Sequence, residues 1–292
     1  MRRAALAAAV LGLPTSLHMR GDDPDLERLE RWAASLRAEG LIAGEVPFGR
    51  SVVRVGELAG GTPYEAGTLD AYLRSGGIGA AIEPLTLSLT RFDCVTLVES
   101  CLGVGRVAQA DGPPGWADFA REVERMRYRG GERRGYGTRL HYFSEWIADG
   151  ARRGLVRDLG PELGGVDDRR PLRFMTEHRA SYPALADDRV FEEIGAMERR
   201  LDELPRRVIP TSRIVEASDQ IATGDVLAFA TAIPGLDVTH AAMAYRDREG
   251  ALRVLHAPLS GGVVEVSRLT LPEYVMAIRR STGVLVARPL RA

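Results

Sequence analysis

A change of hydrophobic period along the chain restricts the fold most. Apolar residues recur at helical spacing through much of the first 204 positions and alternate as in strands from 225 onward. Residues 25–39 set Leu26, Leu29, Trp32, Ala33 and Leu36 on one helical face, and helices are also expected over 68–74, 116–127, 139–153 and 188–204. Residues 50–58 and 85–89 look extended, and 155–185 largely irregular. Strands are expected at 225–229, 238–245, 251–257, 262–266 and 284–288, with a helix over 271–278 before the last. Helices followed by consecutive antiparallel strands describe an α+β fold. At 292 residues the chain can bury a substantial core, as one elaborated domain or two small ones.

Two histidines fall in the strand region. His240 lies in 238–245 and His256 in 251–257, and the midpoint of 240 and 256 is 248, inside the polar turn 246–250. A hairpin symmetric about Arg248 sets them opposite each other on one face, with Cβ atoms roughly 4.5–5.5 Å apart. One residue of slip puts them on opposite faces, and Gly250 is a place for a bulge.

Far upstream, Arg91-Phe-Asp-Cys-Val-Thr-Leu-Val-Glu-Ser-Cys-Leu102 spaces Cys94, Leu97, Val98, Cys101 and Leu102 as one helical face. Asp93 is the expected N-cap and Cys94 the first helical residue, where free backbone N–H groups and the helix dipole favour a thiolate. The Cys94 pKa is therefore expected to fall. A nearby imidazole would take the thiol proton and a second polar group would hold that ring, roles that fit His240 and His256 in turn. Taken singly, Cys94 and either histidine also fit ordinary packing; the joint arrangement points to a thiol hydrolase. Cys101 reads as a small core residue. Seven residues on one helix separate the two sulfurs by roughly 10 Å, too far for a disulfide, so both are expected as thiols.

Composition removes several alternatives. All 39 basic residues are arginine, and the chain has neither lysine nor asparagine. Schiff-base lysine chemistry, a P-loop, a Ser-Lys dyad and a Cys-His-Asn triad are excluded, so a third triad member must be His, Asp, Glu or Gln. With 39 basic against 40 acidic residues, no nucleic-acid partner is expected. Neither His-Glu-x-x-His nor paired Cys-x-x-Cys occurs, so no zinc site is expected, and acyl transfer through a thiol needs no metal or organic cofactor. Met1-Arg-Arg followed by apolar 4–13 has the layout of a secretory signal over residues 1–20, a frayed leader on a cytoplasmic protein being the alternative. Periplasmic or secreted localisation is expected, with no stable membrane insertion, because no stretch has the 18 or so apolar residues of a permanent span.

The order Gly61-Thr-Pro-Tyr64, Phe92-Asp-Cys94, Gly224-Asp225, Thr239-His-Ala-Ala-Met-Ala-Tyr245 and Leu255-His-Ala-Pro258 resembles the NlpC-type papain-like cysteine peptidases of bacterial cell walls. Phe92 to Glu99, Arg139-Leu-His-Tyr-Phe-Ser-Glu-Trp146 and Gly235-Leu-Asp-Val-Thr-His240 look like its N-acetylmuramoyl-L-alanine amidase-like branch, over about 45–290. The resemblance implies one catalytic domain over 21–292 with a papain-like core, a nucleophile helix packed on an antiparallel sheet. The helical block 112–210 is then an insertion. It further implies Cys94 as nucleophile with its N–H as an oxyanion donor, His240 as base and His256 as orienter. Its candidate substrate-binding residues are Tyr64 beside the thiol, Asp93 for a free amine of a wall peptide, Thr96 where a serine is common, Arg139 and His141. His141 and Glu145 either line the cleft or form an exposed i, i+4 pair. The expected function is cleavage of an amide in peptidoglycan, at the N-acetylmuramoyl-L-alanine bond or within the stem peptide. A thiol amidase or acyltransferase on another substrate, and a non-catalytic wall-binding module, remain open.

Overall fold

The computed structural model describes residues 23–291 except 79, 260 and 261, so the expected leader at 1–20 lies outside the described residues. The helices are α1 (Pro24–Ala38), α2 (Phe48–Leu58), α3 (Cys94–Val107), α4 (Trp116–Arg127), α5 (Phe143–Arg152), α6 (Phe174–Glu177), α7 (Asp188–Leu201), α8 (Ile214–Ala217) and α9 (Leu271–Ala277). The strands are β1 (Val156–Asp158), β2 (Val166–Asp167), β3 (Arg207–Pro210), β4 (Val226–Thr231), β5 (Val238–Arg246), β6 (Leu252–His256), β7 (Glu265–Thr270) and β8 (Ser281–Pro289). They form one antiparallel sheet in the order β2-β3-β8-β4-β5-β6-β7, with β1 also paired to β8. The fold is α+β, as the change of period predicts.

Both faces of the sheet are covered. Along β4, Val226, Ala228 and Ala230 join the core built by α1 to α4, while Leu227 and Phe229 join the core under α8 and α9. Double burial explains why β4 is a continuous apolar run. The α3 helix lies against β5 with Ala241 and Met243 beneath it, and its Glu99 pairs with Arg127 of α4 at 2.8 Å, both side chains buried. This ion pair fixes α3 to its neighbour.

Several expectations need correction. Residues 50–58 belong to the helix α2, in which Phe48, Val52 and Val55 are buried at helical intervals, followed by the buried cap Ala59. Packing overrides the weak strand preference of its valines. Residues 85–89 are extended but join no ladder; the Leu89 N–H bonds to the Asp25 carboxylate at 2.7 Å. The helix expected from 139 starts at Phe143, because Arg139 and Leu140 pair as extended chain with the end of α4. Asp237, the residue before β5, accepts the Ser144 N–H at 2.8 Å and so sets the helix start. The 262–266 strand lies at Glu265–Thr270, Val263 making only an isolated bridge to Pro63. The block 112–210 is not purely helical: β1 and β3 lie in it, and both pair with β8. Residues 155–185 accordingly hold β1, β2 and α6.

Candidate active site

The hairpin β5–β6 brings the histidines together with a register one step from the symmetric expectation. Tyr245 faces Arg253 and Met243 faces Leu255, so the turn centres on 249 rather than 248. Moving the centre by one shifts partners by two, which preserves the face. His240 and His256 are therefore diagonal rather than direct neighbours, with ring centroids 5.1 Å apart and His240 Nε2 at 2.9 Å from His256 Nδ1. In the β4–β5 ladder, Phe229 faces His240 and Ala230 faces Val238, leaving Thr239 as an extra residue. A bulge at that point lets the strand turn His240 off the regular pleat. Phe229 stacks on the His240 ring at 5.7 Å.

Cys94 stands at the first position of α3, as the spacing predicts. Asp93 accepts the Thr96 N–H at 2.8 Å, and Thr96 Oγ1 accepts the Asp93 N–H at 2.9 Å, a reciprocal capping box. Thr96 is buried in this role. Cys94 and His240 line one cleft of about 160 Å³ with Val95, Leu140, His141 and Ala241. The Ala241 N–H, next in the chain to His240, points at the Cys94 sulfur. Both cysteines are free thiols.

The electrostatics differ from the expected lowered thiol. Burial, followed by the Asp93 charge, pushes Cys94 up to about 11, outweighing the N–H groups of Ala241, Cys94 and Val95 that favour a thiolate. Burial, with His256 as a second cause, lowers His240 to about 3, and burial lowers His256 to about 4. All three groups are uncharged at neutral pH.

Tyr64 lies within electrostatic reach of Cys94 and Asp93. It forms a parallel bridge to Phe92, and burial followed by Cys94 and Asp93 raises its hydroxyl. His141 lines the cleft but precedes α5, so it is not the i, i+4 partner of Glu145, which instead binds Arg129 at 2.6 Å. His141 Nε2 is 2.9 Å from the Tyr136 carbonyl, which only accepts; Nε2 thus carries the proton. Burial and then Arg139 keep the His141 ring neutral, leaving Nδ1 as an acceptor. Arg139 is not brought to the cleft. It is buried, paired with Asp70 and with Glu83 at 3.3 Å, and lies over the Tyr136 ring. A larger cleft of about 490 Å³ contains none of Cys94, His240 and His256; Tyr136 lines it and packs tilted, at 4.4 Å, against His141 of the smaller cleft, so this ring pair stands between the two.

Two residues escape the sequence reading. Asp237 ties the start of α5 to the start of β5, joining two walls of the cleft. It stands in the Gly235–His240 motif, so its neighbourhood was visible although its contact was not. The Tyr274 hydroxyl, on α9, lies 3.1 Å from His256 Nδ1. No motif marks it. Among the described residues, no group of three or more His, Cys, Asp or Glu is arranged to hold a metal ion.

A family model described as AmiA-like, N-acetylmuramoyl-L-alanine amidase-like, matches residues 54–284. The chain belongs to this family. An N-acetylmuramoyl-L-alanine amidase from Bacteroides uniformis superposes with a TM-score of 0.75 at 27% identity, covering 83% of this chain and 99% of that one. A Bacteroides fragilis protein named provisionally as a xylanase gives 0.72 at 30% identity, covering 80% and 99%. A Legionella pneumophila protein gives 0.65 at 17% identity, covering 90% and 94%, and shares the fold. A search of curated protein sequences returns no match. Membership of this amidase-like family carries with it a hydrolase of the amidase type acting on cell-wall material.

Proposed function

We propose that the protein is a cysteine amidase that cleaves the N-acetylmuramoyl-L-alanine bond of peptidoglycan, on a papain-like NlpC-type core forming one catalytic domain over 21–292. The observation that carries the reading is Cys94, at a helix start, sharing a cleft with a histidine whose far nitrogen is bonded to a second histidine. With His240 Nε2 engaged by His256, His240 Nδ1 is the nitrogen left for the thiol. As Sγ attacks the lactyl carbonyl, its proton passes to His240, and the oxyanion gathers at the Cys94 N–H. His240 then protonates the departing alanine nitrogen as the C–N bond breaks. Water, deprotonated by the same ring, hydrolyses the thioester and restores the thiol.

In this reading Tyr64 borders the scissile bond, and the Asp93 carboxylate, one oxygen of which caps α3, takes a free amine of the wall peptide. The neutral His141 Nδ1 accepts from a substrate N–H or O–H. Glycosidic cleavage, which the Bacteroides fragilis name suggests, needs two opposed carboxylates. Among the described residues Asp237 is the carboxylate that lines the cleft, held by backbone N–H groups, and Asp93 beside it is held by the Thr96 N–H, so neither is a free member of such a pair. Residues 1–20 are proposed as an export signal and the site of action as the periplasm or exterior. No helix among the described residues is long and apolar enough to cross a membrane.

The test is mass spectrometry of soluble products from purified peptidoglycan. Native protein is expected to release lactyl-terminated glycan and intact stem peptides, and Cys94→Ala to release neither. Shortened stem peptides would make it an endopeptidase, and unchanged release by Cys94→Ala would remove the thiol mechanism.

A further inference from the structure

We propose that Tyr274 is a positioning residue that selects the catalytically competent tautomer of the His240–His256 pair; this rests on the roles given to Cys94 and His240 above. The Tyr274 hydroxyl is 3.1 Å from His256 Nδ1, the same atom that lies 2.9 Å from His240 Nε2. The His256 ring stands nearly perpendicular to both neighbours, at 73° and 87°.

A histidine in the third place raises a difficulty that a carboxylate does not, because its Nδ1 either donates or accepts. If His256 Nδ1 carries a proton, it donates to His240 Nε2. The His240 proton then sits on Nδ1, and that ring cannot accept the thiol proton. If His256 Nδ1 is bare, His240 donates from Nε2 and its Nδ1 is free to act as a base. Only the second pattern is competent, and which one forms is set by what else bonds to these nitrogens.

Tyr274 decides between them. Its hydroxyl has His256 Nδ1 as its hydrogen-bond partner and no other among the described residues. Donating there requires the bare Nδ1 lone pair. The reverse arrangement, with Nδ1–H directed at two acceptors, leaves the phenol proton without a protein acceptor, which is unfavourable in a half-buried site. Burial raises the Tyr274 hydroxyl to about 12, so it remains a donor across the working pH range. Tyr274 and His240 share the one lone pair of His256 Nδ1 in a three-centre bond, and the His256 proton is on Nε2.

Tyr274→Phe removes the hydroxyl and keeps the ring, which packs on Phe229 at 5.1 Å. The experiment is nitrogen-15 NMR of histidine-labelled protein, which reads the protonation of each ring nitrogen, paired with steady-state kinetics on soluble muropeptides. Native protein is expected to show bare His256 Nδ1 and protonated His240 Nε2. Tyr274→Phe should show a mixture of both patterns, with kcat lower in proportion to the competent fraction, about twofold for an even mixture, and KM unchanged. With His256→Asp, an acceptor-only orienter, adding Tyr274→Phe should leave the His240 tautomer unaltered. A native His256 protonated on Nδ1, or identical spectra for native and Tyr274→Phe protein, overturns the proposal. The NMR readout needs no turnover, so an inactive native protein would count against the amidase reading alone.

Discussion

Burial holds the thiol and both imidazoles of the cleft uncharged, and at this scale it outweighs the start of a helix. A helix N-terminus favours an anion by roughly 0.3–1 kcal/mol, whereas each unit of pKa is about 1.4 kcal/mol. The rise of Cys94 to about 11 therefore exceeds what the dipole can offset. A consequence follows for the pH profile. A base with a depressed pKa stays bare as pH falls, and an acid with a raised pKa keeps its proton as pH rises. The kcat/KM of the free enzyme is expected to be flat between about pH 5 and 9, its acid limb lying toward the His240 value of about 3. An acid limb at the ordinary histidine value of about 6.5 would show that burial does not govern the base. Cys94, Asp93, His240 and His256 were legible because helix spacing and a hairpin midpoint are local quantities. The direction of the thiol shift, the turning of Arg139 away from the cleft lining toward Asp70 and Glu83, and the approach of Tyr274 were not, because they depend on what distant segments pack against.

At the scale of elements, the strands at 225–229, 238–245 and 251–257 were readable to within a residue or two, while the next lay at Glu265–Thr270 rather than 262–266 and α2 was mistaken because its valines suit a strand when the neighbours are unknown. Those neighbours include the turn before β4. Gly224 has φ +87°, and a Cβ there would lie 2.2 Å from the Gly49 carbonyl oxygen of α2. Gly250, in the β5–β6 turn, has the same φ of +87° with nothing within 4 Å. Gly250→Ala is expected to cost only the backbone conformation, about 1 kcal/mol, and Gly224→Ala that plus a displaced α2, on the order of 3 kcal/mol. Urea unfolding midpoints separate the two effects. Equal losses would show that α2 gives way freely.

Across the whole molecule, three histidines share one property: His141, His240 and His256 all have pKa values lowered by burial. The unfolded chain binds their protons from about pH 6.5 downward, and the folded protein binds those of His240 and His256 only near 3 to 4. Their contribution to stability is complete above about pH 6.5 and is lost progressively as pH falls toward those values. The thermal midpoint should drop between pH 7 and 4, less steeply in His256→Gln; parallel slopes would contradict the assignment. Sheet order was the least legible property, since strands as short as β1 and β3 carry no period and acquire meaning only beside β8. That strand pairs with β4 along one edge and with β3 and β1 along the other. While the ribosome has yet to extrude residues 281–289, the histidine hairpin rests on an open sheet and the strands of the middle block have no place in it. Closure of the sheet, and with it the seating of the middle block beside the hairpin, therefore waits on the last strand.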